Sequence, residues 1–424
     1  MDGIRRRPPG TPPRHDVIVL GAGMVGVSAG LALQGRGRAV LIVDRISAGR
    51  ETSYGNAGII QSEAVEPYAM PRDSRVLAGM VLGRSNDVRY RLSSMPGHLG
   101  PLRRYWHHSA PARYGAAVDG HSSLIAHAAA EHDVLIEWAG CETLVRREGY
   151  RVFHRTQAAL DAAAADASRL QDRFGVAYRI MTPADLRAAE PALRDGGSGA
   201  IHWTQPYTVR DPGALVEAYA ALFIKSGGGL VTGDAGSLVR KGAGWQVATA
   251  DGPAEAAAVV VCLGPWTTQF MRGFGSQFPM VRKRGYHAHY ASDAGLNLPM
   301  LDPVFGYLMA PMVRGTRITT GAELTGPDSP PTLIQLREAE RAARTLLNLG
   351  SVVPDDVWVG TRPCMPDMRP VIGPASGHDG LWLNFGHGHQ GLTLGPASGR
   401  LLADLMTGAP PLVNPAHFAP NRYD

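Results

Sequence analysis

The stretch from Asp16 to Asp44 constrains the fold more than any other. Asp16-Val-Ile-Val-Leu is a short β-branched run. It leads into Gly21-Ala-Gly23-Met24-Val25-Gly26, then a helical run, then Ala39-Val-Leu-Ile-Val-Asp44. Strand, glycine turn, helix and a second strand closed by an acid make a βαβ unit with the dinucleotide fingerprint in its proper context. Gly21 allows the tight turn, Gly23 lets backbone approach a pyrophosphate, and Gly26 lets helix pack on strand, with Gly30 extending that closeness. The helix start offers free N–H groups and a positive dipole end to phosphate. Asp44 follows Gly26 by 18 residues, where an acid accepts hydrogen bonds from a ribose.

At 424 residues the chain is too long for one ordinary core, so two domains are expected. The hydrophobic fraction of 44% and charged fraction of 19% are those of a soluble globular protein. The net charge of +5 is mild. Part of it lies in Arg5, Arg6, Arg7 and Arg14 of a Pro-rich leader, which reads as a solvated tail, with no nucleic-acid motif beside it. Cys141, Cys262 and Cys364 are too scattered for a disulfide framework or a metal site. No apolar run approaches a membrane span and no hydrophobic region follows the leader, so the expected location is cytoplasmic, with peripheral attachment to the membrane left open.

Beyond Asp44, residues 45–60 are rich in small and turn residues, as in a loop whose backbone approaches something closely. Residues 67–115 read as short helices and loops. Ser122–Trp138 reads as a helix, Val145–Arg155 as a strand, Thr156–Phe174 as a helix, and Thr182-Pro and Asp211-Pro as helix starts. Strands are expected near Leu230, Ser237–Arg240 and Trp245–Ala250. Ala256–Leu263, running into Gly264-Pro-Trp, resembles the last parallel strand of a dinucleotide sheet. Gly285–Tyr290 and Tyr307–Gly321 read as antiparallel sheet, and Pro330–Leu349 as an exposed amphipathic helix. Near the end, strand Leu381-Trp-Leu-Asn-Phe, turn Gly386-His387-Gly388-His389-Gln390-Gly391 and a final helix repeat the opening order.

Several motifs together resemble the D-amino-acid oxidase superfamily of flavoproteins, and most of all bacterial D-amino-acid dehydrogenases. They are Val17–Gly26 with Asp44, Thr52-Ser-Tyr-Gly-Asn-Ala-Gly58, Lys283-Arg-Gly-Tyr286, Gly360-Thr-Arg-Pro-Cys-Met-Pro-Asp367 with Pro370–Gly373, and Gly386–Thr393. The likeness runs from about Asp16 to Gly408 and departs most between Pro71 and Gly120, and at Gln390 and Leu392. It implies an α/β fold, α+β overall, with a Rossmann-like FAD-binding domain and a second, mainly antiparallel-sheet substrate domain. The implied division is a leader over 1–13, a discontinuous flavin domain over 14–95, 115–145, 208–275 and 352–420, and a substrate domain over 96–114, 146–207 and 276–351.

The cofactor implied is FAD. Gly21, Gly23, Met24, Val25 and Gly26 would take its pyrophosphate, and Asp44 with Arg45 its ribose. Thr52, Ser53, Asn56, Ala57 and Gly58 would line the flavin and its linker, Ala235 the adenine side, and Gly264 the strand end. His387, Gly388, Gly391, Leu392 and Thr393 would sit by the flavin pyrimidine. Arg362, in Gly-x-Arg-Pro, carries over as the substrate carboxylate partner, its forked guanidinium suiting bidentate binding. Tyr307 is the substrate-facing tyrosine, Tyr286 the weaker candidate, and His389 a cleft residue. His387 and His389 lack partner ligands at metal spacing. Cys364 falls near the flavin, though not where related covalent enzymes attach it.

The reaction implied is oxidative deamination of a D-amino acid, with hydride passing from Cα to flavin N5 and the imine hydrolysing to a 2-oxo acid and ammonia. The acceptor is left open between a quinone, another electron carrier and O₂. The competing readings are a secondary-amino-acid oxidase or dehydrogenase, and a non-catalytic flavin subunit of a larger complex.

Overall fold

The computed structural model describes residues 14–83, 86–291, 295–326, 328–354 and 357–424. The arginines of the expected leader, Arg5–Arg7, lie outside them. A parallel sheet takes shape from three distant parts of the chain. Its strands lie in the order Gly229–Lys241, Val40–Asp44, Arg14–Leu20, Gly252–Val261 and Leu381–Phe385, with Val371–Pro374 antiparallel at the edge. Gly252–Val261 is therefore not the last parallel strand, because Leu381–Phe385 lies beyond it. Of the three segments expected between Leu230 and Ala250, the first two are one long strand, Gly229–Lys241, with an irregularity between Asp234 and Val239, and the third is the strand Gly244–Thr249, paired antiparallel with it.

Buried runs such as Val17–Leu20 and Val40–Val43 need cover on both faces. On one face the helices Met24–Gly35, Pro111–Ala139, Pro212–Lys225 and Gly391–Thr407 pack together around Val27, Leu33, Leu124, Tyr219, Phe223 and Leu401. On the other, Trp245, Met271 and Phe385 close the core. A Cβ on Gly30 would sit 2.9 Å from Ile42 and 3.0 Å from Phe223, which is why glycine stands where the first helix crosses the sheet.

A second sheet, ten-stranded among the described residues, holds Val281–Tyr290 between Gly315–Thr320 and Trp358–Cys364, with Tyr307–Met312 beyond. Two pieces of the stretches expected in the flavin domain pair with this sheet. Val88–Tyr90 joins Ala322–Leu324, and Trp358–Cys364 joins Val281–Tyr290. The single strand expected over Val145–Arg155 is two, Val145–Arg146 and Tyr150–His154, in different sheets. The segment 67–115 holds the helices Ser74–Val81 and Met95–His108. The helix Ile334–Leu346 is amphipathic as expected, but its apolar face, Leu336, Ala339, Ala343 and Leu346, is buried on the second sheet. Among the described residues no helix is long and apolar enough to cross a membrane.

Candidate active site

A cavity of about 1320 Å³ lies between the two large sheets, and its shape is set by backbone before side chains. At one end, Gly21 has φ +108°, and a Cβ there would stand 2.5 Å from the Cys262 carbonyl oxygen. A Cβ on Gly26 would overlap the Gly21 carbonyl. Strand, turn and helix thus meet with no room for side chains. The first helix has no side-chain cap of its own; Met24 N instead donates to Ser53 Oγ at 3.0 Å, tying the 51–58 loop to the helix start. Asp44 Oδ2 accepts from Ala22 N at 2.6 Å and Oδ1 from Ile46 N at 3.2 Å, so the carboxylate is aimed at the turn. Arg45 pairs with Glu51 and lies 4.4 Å over the Trp266 ring.

The loop is held from the second sheet. Arg317 donates to the carbonyls of Tyr54 and Asn56, at 3.0 and 2.6 Å. Asn56 Oδ1 accepts from Gly58 N at 2.8 Å, and Gly58 has φ +73°. From the far end of the chain, Gly388 N donates to Pro363 O at 2.9 Å and His387 Nε2 meets Ser398 Oγ at 3.0 Å. Thr393 Oγ1 accepts from Gln61 N at 3.1 Å, so Thr393 braces the loop without lining the cavity. Gly23, Met24, Val25, Arg45, Thr52, Ser53, Asn56, Ala57, Ala235, Gly264, His387, Gly388, Gly391 and Leu392 all border the cavity alongside Gly21 and Asp44. Gly26 and Gly58 stand behind it and shape the backbone.

The second sheet supplies the opposite wall, and strand parity decides what faces it. Arg362 is cross-strand from Lys283, and both border the cavity. Arg362 Nη1 donates to Gly321 O at 2.7 Å and Nη2 to Thr320 O at 2.8 Å. Two of its five N–H donors are thus spent on fixing the fork, and the rest remain. Among the described residues no acid pairs with it. Burial pulls its pKa below the ordinary arginine value, the response of a cation without an acid. Gly285 makes room, since a Cβ there would lie 2.7 Å from Arg362 Nη1. Gly285→Ala is therefore expected to turn the guanidinium and raise KM about tenfold, the cost of roughly one charged hydrogen bond, with the flavin spectrum unchanged; substrate titration of the variant checks this.

Tyr286 and Tyr307 both touch the cavity edge, and their rings also pack away from it. The register places Tyr286, Thr320 and Tyr307 side by side on the other face of the sheet, under the helix Ile334–Leu346. The Tyr286 hydroxyl donates to Glu323, and both rings belong to that core although both residues touch the cavity edge. On the Tyr307 strand Leu308 borders the cavity, and Ala310 and Met312, on the same face of the strand, pack with Ile59 and Tyr150. His389 does border the cavity, its ring centroid 4.9 Å from that of Tyr68. Burial, reinforced by Arg362 and Lys283, drops its pKa to about 3, so it stays neutral.

Several cavity residues escaped the sequence reading. Lys283 Nζ lies 4.7 Å from the Tyr105 ring centroid; burial lowers its pKa, but Cys364 and Tyr105 outweigh that and raise it. Gln61, Tyr68, Tyr150 and Asn384 also line the space, and the buried Glu63 stands behind Tyr150. No spacing links these positions in the sequence; only pairing of distant strands brings them together.

The model of the family described as FAD dependent oxidoreductase, DAO, matches residues 16–405. The chain belongs to this family. It is 30% identical to a D-amino-acid oxidase of Bradyrhizobium diazoefficiens, over 97% of this chain and 99% of the relative. It is 32% identical to a D-amino acid dehydrogenase of Methylobacterium sp., over 96% and 99%. Among solved structures, an iminodiacetate oxidase from Chelativorans sp. superposes with a TM-score of 0.71 at 23% identity, covering 95% of this chain and 98% of that one. A glycine oxidase from Geobacillus kaustophilus gives 0.70 at 20%, covering 96% and 98%. The flavoenzyme is thus an FAD-dependent oxidoreductase acting on the CH–NH₂ or CH–NH group of amino acids, with the Rossmann-like α/β fold expected.

The site fits FAD. The glycine turn has no space for a Cβ, the Asp44 carboxylate is already aimed, and the buried Thr52 Oγ1, Asn384 Oδ1 and Asn384 Nδ2 have no hydrogen-bond partner in the protein. Buried polar atoms are rarely left so, and a ligand with matching donors and acceptors would satisfy them.

Proposed function

We propose that this flavoenzyme oxidatively deaminates D-amino acids. The observation that carries the reading is Arg362, a buried guanidinium with no acid partner among the described residues, its fork fixed by two carbonyls and bordering the same cavity as the flavin-loop residues. A carboxylate is the partner that would balance it, and the names of the similar D-amino-acid oxidase and dehydrogenases support the substrate class. On this reading the parallel sheet and its flanking segments form the flavin domain, and the antiparallel sheet the substrate domain.

Arg362 holds the carboxylate, with Lys283 adding positive charge beside it. Leu308 and Ile59, backed by Ala310 and Met312, form an apolar wall that keeps water from the reacting carbon. His389, neutral, leaves the site's charge to Arg362 and Lys283. When bound, FAD supplies the two-electron acceptor for the Cα hydrogen. The protein's share is orientation, which for a bound pair of reactants accounts for much of the barrier.

Product analysis tests the reading. With an artificial dye as acceptor, each D-amino acid turned over should yield one 2-oxo acid and one ammonia for every two electrons. Turnover of sarcosine or D-proline, with no ammonia from any primary D-amino acid, would contradict it.

A further inference from the structure

Arg362 answers for the substrate carboxylate but not for its nitrogen. An amino acid arrives as an ammonium ion, and hydride leaves Cα readily only once the nitrogen lone pair is free. Glu63, only 5% exposed, stands where that proton could go. Its Oε1 accepts from the Tyr150 hydroxyl and from the Gln61 amide, each at 2.9 Å, and its Oε2 has no partner. Among the described residues no cation pairs with it. A buried carboxyl with only neutral donors is costly to keep, and such groups concentrate at functional sites.

The neighbourhood supplies nothing to neutralise it. Tyr150, from the strand Tyr150–His154, and Tyr68, from the loop after Glu63, are neutral hydroxyls. His121, on the helix Pro111–Ala139, meets Ala64 O at 2.9 Å and is held neutral by burial, its pKa lowered to about 4. His389 meets the Gln390 amide at 3.0 Å, Gln390 donates to Gln61 Oε1 at 2.9 Å, and His389 too is neutral. Arg362 and Lys283 act on His389 from beyond it. Burial accordingly pushes Glu63 up to about 7.

We propose that Tyr150 and Glu63 form the proton exit for the substrate amine. The substrate N–H bond breaks as its proton passes to the Tyr150 oxygen, while the Tyr150 hydroxyl proton passes to Glu63 Oε1. The amine becomes neutral and keeps its lone pair, Glu63 becomes a neutral acid, Tyr150 is unchanged, and nothing is oxidised. The transfer removes a positive and a negative charge from the cavity at once, which a low-dielectric site favours. Tyr150 borders the cavity with Arg362 and is the catalytic residue; Glu63 acts through it. The proposal rests on the amine-oxidation reading.

The test is anaerobic flavin reduction by a D-amino acid across pH. Glu63 must be ionised to accept the proton, so the rate should fall with decreasing pH around a midpoint of about 7. Glu63→Gln should lower the neutral-pH rate by on the order of 10²-fold. It should also abolish that midpoint, moving the rise up to the ionisation of the free substrate's own ammonium. Glu63→Asp should restore part of both, and Tyr150→Phe should behave like Glu63→Gln. In the oxidised holoenzyme, a ¹³C carboxyl resonance missing from Glu63→Gln should titrate about the same midpoint. A Glu63→Gln enzyme with the wild-type pH profile, or a Glu63 resonance that does not titrate, would overturn the proposal. If no amino acid bleaches the flavin at any pH, it is the function reading that fails.

Discussion

Arg362→Ala should raise the apparent KM for carboxylated substrates by on the order of 10²–10³-fold while changing that for neutral amines only slightly. The figure corresponds to two charge-assisted hydrogen bonds at roughly 1.5–3 kcal/mol each, reduced by water entering the gap. The contrast between substrates carries the argument. If Arg362 only braced the sheet through Thr320 and Gly321, its loss would weaken every substrate alike. Arg362→Lys should recover little, because a point charge cannot hold two carbonyls and a carboxylate in one plane. Steady-state kinetics with a D-amino acid and the matching decarboxylated amine decide it. Equal effects on both would remove Arg362 from the substrate.

Gly26→Ala should give protein that purifies without flavin and melts lower. The new Cβ would overlap the Gly21 carbonyl, which is backbone and cannot rotate aside. The helix start must back away from the strand end that Cys262 continues, and the phosphate-facing N–H groups go with it. A clash of this kind belongs with the exceptional substitutions that cost about 4 kcal/mol or more. Gly35→Ala, at the end of the same helix, is the control: a Cβ there meets nothing within 4 Å, so stability should hold or rise by about 0.5–1 kcal/mol. Flavin absorbance and thermal unfolding of the two variants measure the difference.

The glycine-turn end of the cavity was legible because its physics is local. Gly21, Gly23, Gly26 and Asp44 act within one βαβ unit, and each glycine has a steric reason that can be named from the turn it makes. The loop from Thr52 to Gly58 and the turn from Gly386 to Gly391 were legible as motifs, and the structure brings both to one cavity. The substrate end was less so, because strand parity governs it. A shift of one residue moves a side chain to the other face of a sheet. Tyr307 and Tyr286 touch the cavity edge, and only cross-strand pairing through Thr320 shows that their rings also pack under the helix Ile334–Leu346. The same register aligns Arg362 with Lys283 on the cavity side. Glu63 was invisible for a different reason. Its role depends on a hydroxyl 87 residues away and on there being no cation paired with it among the described residues, neither of which leaves a mark on nearby sequence.

The pairing of Val88–Tyr90 and Trp358–Cys364 with the second sheet has the same origin. Both segments adjoin stretches expected in the flavin domain, and only strand pairing shows that they join the second sheet. In particular, Trp358–Cys364 carries Arg362 across from the second sheet to the flavin turn, where Gly388 N bonds Pro363 O. Substrate and cofactor ends of the cavity are therefore held to each other through one strand.

The most direct measurement of the central claim is anaerobic reduction of the purified yellow holoenzyme by enantiomer pairs. D-amino acids should bleach the flavin at rates that saturate with concentration, and their L-enantiomers should leave it oxidised. Bleaching by L-enantiomers alone, or by no amino acid of either hand, would contradict the account.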